Sequence, residues 1–498
     1  MGVSIMRNKP RALIVLVVLF AVITCAVLSG GCSNQKPEEL TSDGLETTAG
    51  TEKTQDTTSG GESSVKTDGT TETKSGPGSD KSTTTKAATE STTAKQTVSG
   101  TEMKPFSSTQ WKQKEFYLSG FTTGVNRESL TLAKEVGLNL VEFAFSGTEL
   151  VKEAIKICDK IGLNCLPFDR GRWTAALGIV PLYNEEIVYS WIIETHQHKS
   201  VIGYYLWDEV MKNDITIARG LQNLFKKYDP ARLAYIIVFP SYVHESWNNI
   251  ASGNYHDAPY YKYVEYFLNT VKPDVLAFDY YPFGRHGQNL MEVDWWRDMG
   301  LMRMKSIEYN LPFWYYYQAS ELGEKKERCT VSEIRLQMYA GLAYGAKYLS
   351  AFNSSGRMYG GNGQKVADFE ELKQNNHEVM TAGRFLFDKI PYKIYHTGLS
   401  KDYLTNGYFL DKIEESEIIK STPDGLIISI FKDGKTSSLY ILVVNKNHAT
   451  QRSVRLELKS AKKISLLNKT SGSINVLGTS DYIDLALQPG GGELYVIG

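Results

Sequence analysis

The chain has 498 residues, 42% of them hydrophobic, with 55 basic and 56 acidic side chains and a formal net charge of −1. That length holds two or three domains, and a pI of about 6.7 excludes a bulk electrostatic drive toward nucleic acid. The five cysteines show no paired C-x-x-C spacing, which argues against a zinc site or disulfide framework and for inert buried thiols at Cys158 and Cys165.

The N-terminus carries Arg7, Lys9 and Arg11, then an apolar run from Ala12 to about Ser29. This is a positive n-region followed by an h-region. The run closes as LSGGC at Cys32 and resembles a bacterial lipoprotein signal, in which small residues precede the lipidated cysteine. Leu28 stands one position farther from Cys32 than that pattern places it. An uncleaved membrane anchor is the other reading, because the run nearly reaches spanning length. Either way residues 1–32 attach an exported protein to the outer face of the bacterial cell membrane. Over residues 33–105 Thr, Ser, Gly, Lys and Glu dominate and large apolar side chains are almost absent. Such a segment cannot offset its chain entropy and is expected to be a disordered tether.

From about Phe106, strand-like and helical runs alternate. Strands are expected at Phe116–Thr123, Asn139–Phe145, Leu163–Phe168, Val201–Trp207, Leu233–Phe239, Asp274–Tyr280, Pro312–Tyr317 and Tyr348–Phe352. Helices are expected around Asn126–Val136, Glu149–Ile161, Glu185–His196, Thr216–Lys227, Tyr260–Val271, Trp295–Tyr309, Ser332–Tyr344 and Phe369–Phe387. Eight such pairs over 106–392 predict an α/β fold, the (β/α)8 or TIM barrel. A doubly wound open sheet also alternates, but no G-x-G-x-x-G follows the first strand here. Beyond about Ile390 come short alternating strands at Leu426–Phe431, Ser438–Asn445, Ser453–Leu458 and Gly492–Val496. With turn signals such as Asp433-Gly434, they predict a C-terminal antiparallel β-sandwich over 396–498.

In such a barrel the side chains at the carboxyl ends of the strands converge on one cup. Those ends hold Asp169 and Arg170, then Trp207 with Asp208 and Glu209, then Asp279 with Tyr281, then Gln318 and Asn353. Carboxylates accept sugar hydroxyls and aromatic faces cover C–H surfaces, so this set suits a carbohydrate substrate. Asp169 with Arg170 reads either as a rim ion pair or as a substrate contact, and His244, past the fifth strand, is a weaker candidate. Glycosidic cleavage needs one carboxyl kept protonated and a second carboxylate, either a nucleophile at about 5 Å or a base for water at about 6.5–9.5 Å. Glu209 is the best acid: Tyr204, Tyr205, Leu206 and Trp207 desolvate it and Asp208 repels its charge, and both effects raise a carboxyl pKa. Asp208 takes part or orients a neighbour. No His/Asp/Glu cluster has catalytic metal spacing, so neither metal nor cofactor is expected.

The run VIGYYLWDEV, Val201–Val210, resembles the G-Y-Y-L-W-D-E-P of the fourth strand in beta-galactosidase-like members of the retaining (β/α)8-barrel glycoside hydrolase clan. Val210 stands where proline is common. AFDYYPF (Ala277–Phe283) and YAGLAYGAKYLSAF (Tyr339–Phe352) are similar to the same group. The resemblance implies an O-glycosyl hydrolase acting on an oligo- or polysaccharide, with Glu209 as acid/base. It also implies a nucleophilic glutamate at the end of the seventh strand. There the chain reads PFWYYYQAS, with Gln318 in that place, and an amide cannot form a glycosyl ester. Three routes stay open. Glu321 reaches the cup as nucleophile, unless it is a surface residue of the charged loop that follows. Asp279 acts as base toward water, with inversion. Or Gln318 holds a substrate group in a carbohydrate-binding barrel that does not cut.

Overall fold

The computed structural model describes residues 103–122, 124–143, 148–168, 185–243, 259–283, 294–322, 327–361, 363–399 and 409–498. The signal with Cys32, nearly all of the tether, Asp169, Arg170 and His244 lie outside them. No helix among the described residues is long and apolar enough to cross a membrane.

Eight strands form the first sheet: β1 (Tyr117–Thr122), β2 (Leu140–Phe143), β3 (Asn164–Pro167), β4 (Gly203–Trp207), β5 (Leu233–Val238), β6 (Leu276–Tyr280), β7 (Phe313–Gln318) and β8 (Ala346–Phe352). Helices alternate with them: α1 (Arg127–Glu135), α2 (Thr148–Ile161), α3 (Glu185–Thr195), α4 (Ile215–Tyr228), α5 (Pro259–Val271), α6 (Asp294–Glu308), α7 (Val331–Ala343) and α8 (Phe369–Leu386). All neighbouring strands are parallel, in the order β3-β2-β1-β8-β7-β6-β5-β4. The ring closes between β3 and β4, where Cys165 N–H donates to Ser200 O at 2.8 Å and Ile202 N–H to Cys165 O at 3.2 Å. This is the expected (β/α)8 barrel, with each element within a few residues of its expected range.

The strands read as continuous apolar runs because neither face meets water. Inward positions such as Phe121, Leu166, Tyr205, Tyr235, Trp314, Tyr316 and Tyr348 fill the barrel. Outward positions such as Tyr204, Leu206, Ile236 and Phe278 pack under the helices. The interior is unusually aromatic. Trp314 stacks on Tyr348 with ring centroids 4.0 Å apart, and Tyr205 stacks on Tyr235 at 4.8 Å. Cys158, Cys165 and Cys329 are free and buried, as expected for Cys158 and Cys165.

After α8 come β9 (Ile390–His396), β10 (Ile419–Ser421), β11 (Leu426–Lys432), β12 (Leu439–Asn445), β13 (Arg452–Leu467), β14 (Ile474–Leu487) and β15 (Gly492–Ile497). They form one antiparallel sheet, ordered β10-β13-β15-β12-β11-β9 with β14 on β13. Alternation divides it between two cores. Ile428, Ile430, Ile441, Val443, Leu456, Ile483 and Leu485 enclose a core of their own. Ile427, Phe431, Leu442 and Val444 join the outer core of the barrel, and Ser429 Oγ donates to Ala343 O at 2.6 Å. The antiparallel β-structure expected there is present and fits a β-sandwich; β9, β10 and β14 are additional strands, and β13 runs well past Leu458. The first half of β14 is exposed on both faces, so its sequence carries no apolar alternation.

Candidate functional site

The sequence after β4 makes a tight turn into the cup. Asp208 and Glu209 are half-buried and Val210 is buried. Glu209 has φ of 50°, a left-handed conformation that costs a non-glycine residue free energy and persists only where the surroundings enforce it. The enforcement is visible. Val210 N–H donates to Ile237 O at 3.0 Å, and Tyr263 Oη, from α5, donates to Val210 O at 2.7 Å. Asp208 is fixed by the Tyr205 hydroxyl, which donates to its Oδ1 at 2.6 Å.

Asp279 points inward from β6, 4% exposed, and lies opposite Tyr316 in the ladder. Tyr281 follows, buried, with its ring 5.0 Å from that of Phe352. Burial holds the Tyr281 phenol well above its ordinary range, reinforced by the charge of Asp279, by Tyr242, and by Glu209 and Asp208. Burial likewise raises the Tyr263 phenol against a pull downward from Phe239 N–H, with Glu209 and Asp279 adding to the rise. Glu209 and Asp279 thus lie near both buried phenols at the carboxyl end of the barrel, and Asp208 near that of Tyr281. The exit of β5 is braced by α6: Ser241 N–H donates to Asp298 Oδ2 at 2.8 Å, and Arg297 Nη2 donates to Ser241 Oγ at 2.8 Å.

The end of β7 behaves differently. Gln318 is fully buried, and its side chain is spent on backbone. Its Oε1 accepts from Phe283 N–H at 2.9 Å, while Nε2 donates to Phe283 O at 3.1 Å and Ser320 O at 3.3 Å. Gln318 therefore splices the β6 exit to the β7 exit. Asn353, with φ of 54°, donates from Nδ2 to Ser320 Oγ at 3.4 Å. Glu321 is exposed. The structure thus brings Asp208, Glu209, Asp279 and Tyr281 together, leaves Trp207 half-buried beside them, and sets Glu321 at the outer surface of its loop.

One ionisable group beneath the cup is absent from the sequence-level candidates. Glu142, on β2, is fully buried inside the barrel. Tyr316 Oη and Tyr235 Oη donate to its Oε2 at 2.7 and 3.1 Å, and Ser119 Oγ to its Oε1 at 3.3 Å. Burial pushes its pKa up to about 8 from the ordinary 4.5, although the hydroxyls of Tyr316, Tyr235, Ser350 and Ser119 all pull the other way. The available signal was a carboxylate inside a strand run with no solvent side, where a charge needs a partner.

No protein-family model matches the chain, and none of the curated proteins matches it. Solved structures with a similar fold include alpha-galactosidase I from Mortierella vinacea, 11% identical over 77% of this chain and 96% of that one, with a TM-score of 0.43. A family 51 alpha-L-arabinofuranosidase from Bifidobacterium longum is 10% identical over 77% of this chain and 95% of its own, with a TM-score of 0.40. Likeness at that level carries no argument about activity, and the barrel rests on its own strand ladders.

Proposed function

We propose that this protein is a cell-surface glycoside hydrolase that cleaves O-glycosidic bonds of an oligo- or polysaccharide, with Glu209 as general acid. The observation that carries the reading is the gathering of Asp208, Glu209 and Asp279 around the buried Tyr281 phenol at the carboxyl end of the barrel. Glu209 gives its proton to the leaving oxygen, and a second carboxylate acts from the other side of the sugar ring. The inward, buried Asp279 suits that second role better than the exposed Glu321, which favours water activation and inversion. Glu321 as nucleophile is the retaining alternative. Trp207, Asp208, Tyr281 and Asn353 line the substrate. The N-terminal segment anchors the protein outside the cell through lipid on Cys32 or as an uncleaved span.

Gln318 favours a second reading, a barrel that binds carbohydrate without cutting it. Its amide occupies the place of the nucleophile the resemblance implies and is engaged with Phe283 and Ser320 backbone. Screening the full-length protein against aryl glycosides and plant and microbial glycans separates the two. Hydrolysis that Glu209→Gln and Asp279→Asn each abolish, with inverted product by proton NMR, supports the first. Unchanged activity in Glu209→Gln would remove Glu209 from the mechanism, and glycan affinity without turnover would establish the second reading.

A further inference from the structure

Glu142 stands where a barrel interior ordinarily carries apolar side chains. Its ladder partners are Phe121 of β1 and Leu166 of β3. Ser119 of β1, Tyr235 of β5 and Tyr316 of β7 bond its carboxyl, and Ser350 of β8 and Tyr205 of β4 lie close enough to interact with it. Among the described residues the groups bonded to its carboxyl are hydroxyls, and no cation faces it. A fully buried carboxylate without a counter-charge is costly, and the economical solution is to keep the proton. The group is also not isolated from the cup. The Tyr235 and Tyr316 hydroxyls lie 2.5 Å apart and share Glu142, with Tyr348 Oη 3.5 Å from Tyr316 Oη. Tyr235 stacks nearly parallel on Tyr205, at 14°, and Tyr205 holds Asp208. Tyr316 is the ladder neighbour of Asp279.

We infer that Glu142 works as a protonated carboxylic acid and is the positioning residue of the cup, setting Asp208 through the Tyr235–Tyr205 stack and Asp279 through Tyr316. Its proton gives the cluster a hydrogen that one of the surrounding hydroxyls accepts. Ionisation removes that hydrogen, reorders the shared tyrosine bonds and loosens both cup carboxylates. The inference rests on the proposed function only in treating the cup as the substrate site.

The test has one arm that needs no substrate. In pH-difference infrared spectra of the full-length protein, the band of a buried protonated carboxylic acid should persist at pH 7, vanish between pH 7 and 9, and be missing in Glu142→Gln. Tyr316→Phe should shift that transition in the otherwise intact protein, which keeps the assignment open to test if Glu142→Gln does not fold. The second arm compares hydrolysis at pH 9 and pH 6 for any aryl glycoside turned over in the screen. The ratio should be at least several-fold lower in wild type than in Glu142→Gln. Absence of a carboxylic acid band at pH 7 in wild type would overturn the inference, whatever the outcome of the screen. Identical pH ratios in the two proteins would overturn the positioning role alone. Failure of every substrate with the band present would count against the hydrolase reading and leave the protonated floor established.

Discussion

The Tyr263 hydroxyl donates to Val210 O at 2.7 Å and accepts from Phe239 N–H at 3.2 Å, so one side chain of α5 ties the exits of β4 and β5 together. Val210 directly follows Glu209, whose backbone is left-handed. Tyr263→Phe keeps the ring and removes both bonds inside a buried site. We expect a stability loss of about 1–3 kcal/mol, since a buried donor and acceptor lose their partner. Because Glu209 loses its clamp, any hydrolysis found under the proposed function should fall more steeply than stability. Denaturant titration beside kinetics on the same preparation checks this.

Gln318→Glu tests whether a carboxyl at the end of β7 can serve as a nucleophile. The structure predicts that it cannot. The new oxygen would face Phe283 O and Ser320 O, which now accept from Nε2, and a buried charge would stand against two carbonyl dipoles. The variant should be destabilised by at least about 2 kcal/mol and should gain no retaining activity. Thermal unfolding and the anomeric course of hydrolysis read both outcomes.

Lys469 closes the junction between the barrel and the C-terminal sheet. Its Nζ lies 2.8 Å from Glu493 Oε1 and 3.6 Å from Glu378 Oε2, and it donates to Gly492 O at 2.8 Å. Burial raises the Glu493 pKa, while Lys469 pulls it down. Lys469→Met strands two carboxylates at a mostly buried junction and should cost about 3–5 kcal/mol. Adding Glu493→Gln should recover part of that loss. A double-mutant cycle by chemical denaturation measures the coupling.

Lys347 offers a test by pH. At the start of β8 its Nζ donates to Leu386 O at 2.6 Å and Lys389 O at 3.1 Å. Carbonyls at a helix C-terminus favour a cation, yet burial wins and lowers the ammonium pKa to about 7 from the ordinary 10.5. Between those values the unfolded chain holds a proton that the folded chain lacks, so stability rises with pH across that window, and the gain is lost again as pH falls from about 10.5 toward 7, with no further change below it. Lys347→Met should flatten this slope while losing about 1 kcal/mol per missing bond at high pH. Unfolding midpoints from pH 6 to pH 10 give the answer.

The barrel was legible because parallel strands covered on both faces read as uninterrupted apolar runs, and their ends announce themselves with polar residues such as Asp208 and Asp279. Other features depend on partners far along the chain. Nothing near Gln318 indicates that its amide closes on Phe283, 35 residues away. Glu142 sits inside the run Asn139–Phe145 and passes there for the polar position of an alternating strand, although a barrel strand has no solvent side to receive it. The same blindness applied to β14, whose first half is held by pairing with β13 rather than by apolar burial.

Helix α7 is buried almost around its whole circumference, from Val331 to Ala343, because β11 and β12 cover the side that an outer barrel helix ordinarily gives to water. The boundary near residue 392 therefore divides the sequence without dividing the folding unit. A chain ending after α8 would leave Leu336, Tyr339 and their neighbours as an adhesive patch, and a sheet expressed alone would do the same with Phe431, Leu442 and Val444. The barrel and the sheet are therefore expected to be soluble only together, since each covers the apolar face of the other.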